Sequence, residues 1–165
     1  MRLVTLGTLG LILAASTYAQ TTNPAKLKIN GIGLDSTFAQ VTKALGKPKK
    51  DGKATREECI GGREKTVDFD GATFYFMDGD SKNRKTFEVK SFAITSPKYS
   101  VSGIKVGDTE HNVRRRLGTK FTKSDDETGA TIWTYEFPDP GSPGSTIIFI
   151  SRGKVTKITS AHQVC

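Results

Sequence analysis

The chain has 165 residues, and 25 Lys and Arg against 17 Asp and Glu give a formal net charge of +8. That length is one domain's worth, and that charge suits acidic surfaces or polyanions. Beyond the N-terminal segment no stretch is long or apolar enough to span a bilayer as a helix, which excludes a helical membrane protein.

Arg2 supplies a positive start, Leu3 to Ala15 is apolar or small apart from Thr5 and Thr8, and Thr17-Tyr18-Ala19 offers small residues at a cleavage site. This is the plan of a secretory signal peptide over 1–19, cut near Ala19. No Cys follows the apolar run, so a lipid anchor is not expected. The expected product is exported, periplasmic or extracellular, where nucleic acid is not a partner. Residues 20–26 contain Pro24 and read as a flexible leader.

A sixteen-residue stretch then occurs twice. Gly31 to Gly46 aligns without gaps on Gly103 to Gly118, and six positions are identical: Gly31/Gly103, Ile32/Ile104, Thr37/Thr109, Val41/Val113, Leu45/Leu117 and Gly46/Gly118. The duplication divides the chain into a unit over 27–98 and a second over 99–165. In the first copy Asp35 or Ser36 is the expected helix cap. Phe38, Val41, Ala44 and Leu45 form one apolar face, and Gly46 and Pro48 end the helix. In the second copy Asp108 caps, Val113 and Leu117 keep the stripe, and Arg114, Arg115 and Arg116 complement the dipole in the last turn.

Strands follow each helix. The first unit reads Ala54–Ile60, Thr66–Phe69, Ala72–Met77 and Phe87–Thr95, with Asp70-Gly71 as a hairpin turn and a long polar turn at Asp78–Lys85. The second reads Phe121–Asp125, Thr131–Phe137, Thr146–Ile150 and Val155–Ser160, with a Pro/Gly loop over Pro138–Gly144. Thr73/Thr146 and Phe76/Phe149 extend the repeat at an offset of 73, and Ile94-Thr95-Ser96 matches Ile158-Thr159-Ser160 at 64. The expected fold class is α+β: two tandem repeats, each a short helical segment followed by an antiparallel four-stranded sheet, with the helices packed on one sheet face.

Chemistry has little signal. His111 and His162 lie far apart without ligands at metal spacing, so no metal site is expected. Asp78-Gly79-Asp80-Ser81 resembles the start of a calcium loop, but Lys82 stands where a ligand belongs. No nucleophile elbow, His-Glu-x-x-His or phosphate loop is present. Neither catalysis nor a cofactor is expected. In an exported protein the even cysteine count favours a Cys59–Cys165 disulfide, the alternative being two free or intermolecular thiols. Tyr75 alternates with Phe74 and Phe76, and Trp133 and Tyr135 alternate with Ile132 and Thr134. If Tyr75, Trp133 and Tyr135 face away from the helices they form a protein-recognition platform; otherwise Trp133 is core.

Gly103-Ile104-Lys105-Val106-Gly107-Asp108-Thr109, with Val113 and Leu117-Gly118, resembles the signature of the SmpA/OmlA (BamE-like) family and the repeat of the β-lactamase inhibitory protein-like fold. The resemblance spans roughly 27–165 and implies helices on an antiparallel sheet whose face binds protein. Departures are the missing lipid-anchor Cys and the missing disulfide within each unit. The expected function is an exported, non-catalytic protein-binding module of the bacterial cell envelope. Its candidate contacts are Tyr75, Trp133, Tyr135, Asp78, Asp80, Arg114, Arg115 and Arg116. The alternative is an envelope-associated structural protein held to anionic lipid or polymer by its basic surface.

Overall fold

The structure, a computed structural model, describes residues 23, 27–59, 61–78, 86–137 and 143–163. The expected signal peptide, most of the leader, Asp80, Cys165 and the greater part of both long loops lie outside the described residues. The elements are α1 (Phe38–Leu45), β1 (Lys50–Asp51), β2 (Thr55–Arg56), β3 (Arg63–Phe69), β4 (Ala72–Met77), β5 (Glu88–Ile94), α2 (Glu110–Leu117), β6 (Thr122–Asp125), β7 (Thr131–Phe137), β8 (Gly144–Ser151) and β9 (Lys154–His162).

The α+β expectation of two repeats, each with its own four-stranded sheet, is overturned. The described residues are mostly antiparallel β: one nine-stranded sheet in the order β1-β3-β4-β5-β9-β8-β7-β6, with β2 also paired to β3. Helices α1 and α2 have eight residues each. The reason is the seam between β5 and β9. Ser91, Phe92, Ala93 and Ile94 pair with Ala161, Ser160, Thr159 and Ile158, so the later strands continue the earlier sheet instead of forming a second one.

Strand alternation gives the sheet one filled face. Val67, Phe74, Phe92, Ser160, Thr146 and Tyr135 follow one another across the strands, and beside them run Phe69, Ala72, Ile94, Ile158, Ile148 and Trp133. All are buried. Phe74 meets Phe69, Phe76 and Phe92 in tilted or edge-on contacts with centroids 5.7–6.1 Å apart, a geometry favoured by the ring quadrupoles. Val41 of α1 and Val113 and Leu117 of α2 join the same cluster, with Leu27, Ile29, Ile32, Val101 and Ile104.

Those last residues belong to two tight turns. Ile29 and Ile32 exchange both backbone hydrogen bonds, as do Val101 and Ile104. The central residues Asn30 (φ 50), Gly31 (φ 85), Ser102 (φ 49) and Gly103 (φ 83) are all left-handed, the turn that the twist of a hairpin selects and that Gly tolerates. Ile29 also bridges Val101, so the turns are joined back to back.

Both helix caps differ from the expectation. The N-caps are Thr37 and Thr109, whose side chains accept from Gln40 N and Asn112 N. Gln40 Oε1 in turn accepts from Thr37 N at 2.8 Å, completing a capping box. Ser36 and Asp108 are diverted to turns, where Ser36 Oγ accepts from Gly33 N and Asp108 Oδ2 from Lys105 N, and the Asp35 carboxylate is taken by Lys90 and His162. Ala44, expected on the apolar face, is exposed.

The expected strand over Ala54–Ile60 shortens to β2. Glu57 accepts locally from Cys59 N at 2.8 Å, and Gly61 and Gly62 turn at φ 77 and 91. A local side-chain bond of this kind competes with the ladder. The strand matches also fail at the residue level. Phe76 faces inward but Phe149 outward, and Thr73 faces outward but Thr146 inward, so an offset of 73 swaps the two faces.

Replacing Thr37 or Thr109 by Ala is expected to cost about 1 kcal/mol each. Urea titration should show a lower midpoint at unchanged slope, and an unchanged midpoint in both variants would place the caps elsewhere.

Candidate functional site

Of the aromatic residues expected on an exposed platform, the sheet register separates Tyr75 from the other two. Trp133 and Tyr135 are each 1% exposed. Trp133 stacks on Phe121 at 4.3 Å, and the Arg114 guanidinium lies 4.8 Å from its ring centre. Tyr135 donates its hydroxyl to Gly118 O at 3.1 Å. Burial pushes its ionisation up to about 12, against a lowering by Arg114. These two side chains hold the end of α2 to the sheet and do not form a recognition surface. The alternation was visible in the sequence, but which face the sheet buries is settled by pairing across the seam.

The arginine triplet is divided in use. Arg114 covers Trp133 and pairs with Glu110 at 3.3 Å, while Arg115 donates to Asn112 Oδ1. Arg116 lies over the turn at Gly103, where an added Cβ would meet its guanidinium carbon at 3.1 Å. Asp78 is not a surface contact either. Its side chain is fully buried, and it accepts from Arg63 N at 2.6 Å and Arg63 Nε at 2.7 Å. Asp80 lies outside the described residues.

The opposite face of the sheet is the open one. Across it run Thr66, Tyr75, Ser91, Ala161, Ser145 and Glu136, and beside them Asp68, Thr73, Ala93, Thr159, Ile147 and Thr134. None of these is fully buried. The central positions carry Ser, Ala and Thr, so the floor is shallow. Ile132, Ile147 and Phe149 form a half-buried apolar patch over β7 and β8, with Lys157 4.9 Å above the Phe149 ring.

Tyr75 sits at the other side of this face. Its hydroxyl donates to Glu64, and burial, then that bond, raises its ionisation above the usual tyrosine value. Beside it lies a cleft of ≈ 240 Å³ that includes Lys50, Gly52, Lys53, Thr55 and Asp68. Sequence reading missed the apolar patch because Thr146-Ile147-Ile148-Phe149-Ile150 is apolar throughout after its first residue, and such a run does not say which side is covered.

A second polar group lies at the seam. Lys90 donates to Asp35 Oδ1 at 2.8 Å, and His162 Nε2 lies 3.1 Å from Asp35 Oδ2. Burial pushes the Asp35 carboxyl up, but the Lys90 bond and charge, with His162, outweigh it and hold the group below its ordinary value. A carboxylate-held histidine is the arrangement that orients a general base. A cleft of ≈ 360 Å³ beside His162 contains Ser145. Gly144 pairs with His162 and Ser145 with Ala161, so Ser145 and His162 point to opposite faces and do not make a nucleophile–base pair. His111 is exposed on α2. Among the described residues no cluster of three or more His, Cys, Asp or Glu could hold a metal ion.

Cys59 is disulfide-bonded, and the chain's other cysteine, Cys165, lies outside the described residues. No helix among the described residues is long and apolar enough to cross a membrane.

No family model matches the chain, and no curated protein matches it. Among solved structures it is similar to an extracellular protein containing a SCP domain from Bacillus anthracis, with a TM-score of 0.45 and 8% identity. That likeness covers 78% of this chain and 43% of the other, and it carries no argument about fold or function.

Two outcomes follow from these placements. Trp133→Ala is expected to lose about 3–5 kcal/mol, the cost of emptying a core aromatic site, read as a fall in thermal midpoint. A near-unchanged midpoint would return Trp133 to the surface. Because the folded Asp35 value is lowered, its stabilisation is present above the unfolded value of roughly 3.9 and is lost as pH falls through the folded one. Asp35→Asn should therefore flatten the acid limb of a stability–pH curve measured by urea titration.

Proposed function

We propose that this chain is an exported, non-catalytic protein-binding module of the bacterial cell envelope, which meets its partner with the open face of the sheet. The observation that carries the reading is that face itself. The nine-stranded sheet has one side packed and another that no described residue covers, with a floor of Ser, Ala and Thr and an apolar patch at Ile132, Ile147 and Phe149. A shallow floor accepts a protruding partner surface, and an apolar patch within a polar surround is what a protein interface buries first. The disulfide at Cys59 supports an oxidising compartment and hence export. The partner contacts are Tyr75 and the apolar patch. Trp133, Tyr135 and Asp78 act behind them, as supports.

A second reading, retention on anionic lipid or polymer by charge, is favoured by one observation. Lys43, Lys47, Lys120 and Lys123 are exposed and form no ion pair among the described residues. It predicts binding to anionic vesicles that disappears at a few hundred millimolar salt, as the Debye length falls below ~8 Å.

The test is capture from an envelope extract by the mature protein and by Ile147→Glu. The substitution lies on the open face, so the thermal midpoint should hold while capture falls at least about tenfold, as for loss of a central interface residue. Capture that is equal in both proteins, or that vanishes with salt, would remove the protein-binding reading.

A further inference from the structure

The cleft beside Tyr75 has a construction that the docking reading does not use. β1 and β2 both pair with β3, but out of step. Lys50 faces Asp68 and Asp51 faces Val67, whereas Thr55 faces Glu64 and Arg56 faces Arg63. Residues 52–54 therefore stand opposite residues 65–66, and the edge carries a bulge, a device that re-aims side chains. Gly52 holds it close: its N–H donates to Thr66 O at 3.0 Å, and an added Cβ would meet that oxygen at 2.5 Å.

The bulge leaves two ammonium groups without partners among the described residues, beside two carboxylates. Lys50 and Lys53 line the cleft and have no ion pair or side-chain hydrogen bond among the described residues. Lys65 also lines the cleft, but its Nζ is engaged elsewhere, 2.8 Å from Asp51 and 3.6 Å from the Phe38 ring centre. On the acceptor side, Glu64 takes the Tyr75 hydroxyl and Asp68 Oδ1 takes Thr73 Oγ1 at 2.9 Å. Each carboxylate keeps a second oxygen. Thr55 and Thr66 also line the cleft.

This donor and acceptor set selects a ligand class. A plain cation would meet two lysines. A multiply charged anion would meet Glu64 and Asp68. A single carboxylate with neighbouring hydroxyls satisfies both sides, because ammonium groups take the carboxylate and carboxylate oxygens accept from the hydroxyls. At ≈ 240 Å³ the cleft is below the roughly 300–1,000 Å³ of sites for drug-sized ligands, which limits the occupant to about one ring. We propose that the cleft binds a sugar acid. Its carboxylate lies on Lys50 and Lys53, its hydroxyls donate to Glu64 and Asp68, and Tyr75 forms the wall. The same chemistry occurs in a free uronate and in a uronate residue of a polymer. This inference does not depend on the protein-binding reading and survives its failure.

The test is an amide NMR titration of the full mature protein with D-glucuronate, a polyglucuronate oligomer, D-glucose and acetate. Glucuronate at about 10 mM, enough to saturate a millimolar site, should shift the amides of Gly52, Lys53, Ala54 and Thr55 along a saturating curve. Glucose and acetate should need at least about tenfold more. Tighter binding of the oligomer per residue identifies a polymer as the source, and equal binding identifies the free acid. The double variant Lys50→Ala/Lys53→Ala, at an exposed edge, should keep the remaining spectrum and lose these shifts. Equal effects of acetate and glucuronate, no shift at that concentration, or shifts that persist in the double variant would each overturn the proposal.

Discussion

Four backbone pairs between β5 and β9 hold the architecture together. An antiparallel sheet that ended at either strand would present an unpaired row of N–H and C=O groups. Pairing the two strands removes both edges at once, but only over half their length. The N-terminal parts of β5 and β9 diverge beyond the seam, and each finds a different partner. Asp35 N donates to Val89 O and Val89 N donates to Ser36 O; Gly107 N donates to Val155 O and Val155 N to Asp108 O. The segment leading into each helix thus completes a strand, which fixes where the helix starts. A register shift sits nearby in each half, between Tyr75 and Phe76 and between Phe149 and Ile150. The first sets Lys90 as the extra residue, aimed at Asp35, and His162 reaches the same carboxylate from β9. The seam is therefore held by side chains as well as backbone.

Because the seam is in register, one face of both halves is the same face. That side carries the long apolar side chains, each contributing about 1.5–3 kcal/mol on full burial. Two polar groups at its centre are exceptions with a visible cause. Thr146 Oγ1 and Ser160 Oγ are 3.0 Å apart between Phe92 and Tyr135 in the cross-strand row. Each hydroxyl offers the other a partner and avoids the cost of an unmet buried polar group. Trp133 is less complete, since its indole Nε1 is buried and unpartnered among the described residues. Its ring contacts with Phe121 and Arg114 hold it in place all the same.

Local grammar was legible in the sequence, and long-range pairing was not. The sixteen-residue stretch specified two short helices ending in Gly46 and Gly118, because a glycine at positive φ is a local requirement. Ala72–Met77 and Thr131–Phe137 read correctly as strands from alternation and turn residues. The α+β class did not survive, because nothing local in Ser91–Ile94 says that its partner is Ala161–Ile158. For the same reason Tyr75 and Trp133 could not be placed relative to each other. A face is defined within one strand by period two, but between strands only by register. The cleft was invisible for a related reason, since the bulge at 52–54 arises from a mismatch between β1 and β2 against a common neighbour.

The ends of the sheet constrain how any partner is met. β6 is four residues, Thr-Lys-Ser-Asp, all exposed, and β1 and β2 are two residues each and also exposed. Short edges that carry Lys, Arg and Asp resist strand addition, because a new strand would have little backbone to pair with and would lie beside charge. Recognition by backbone pairing is thus disfavoured at both ends of the sheet. Under the proposed function, recognition would fall to side chains on the face that no described residue covers. There the small central residues would let a protruding surface approach the strands, with the apolar patch at Ile132, Ile147 and Phe149 to one side of them.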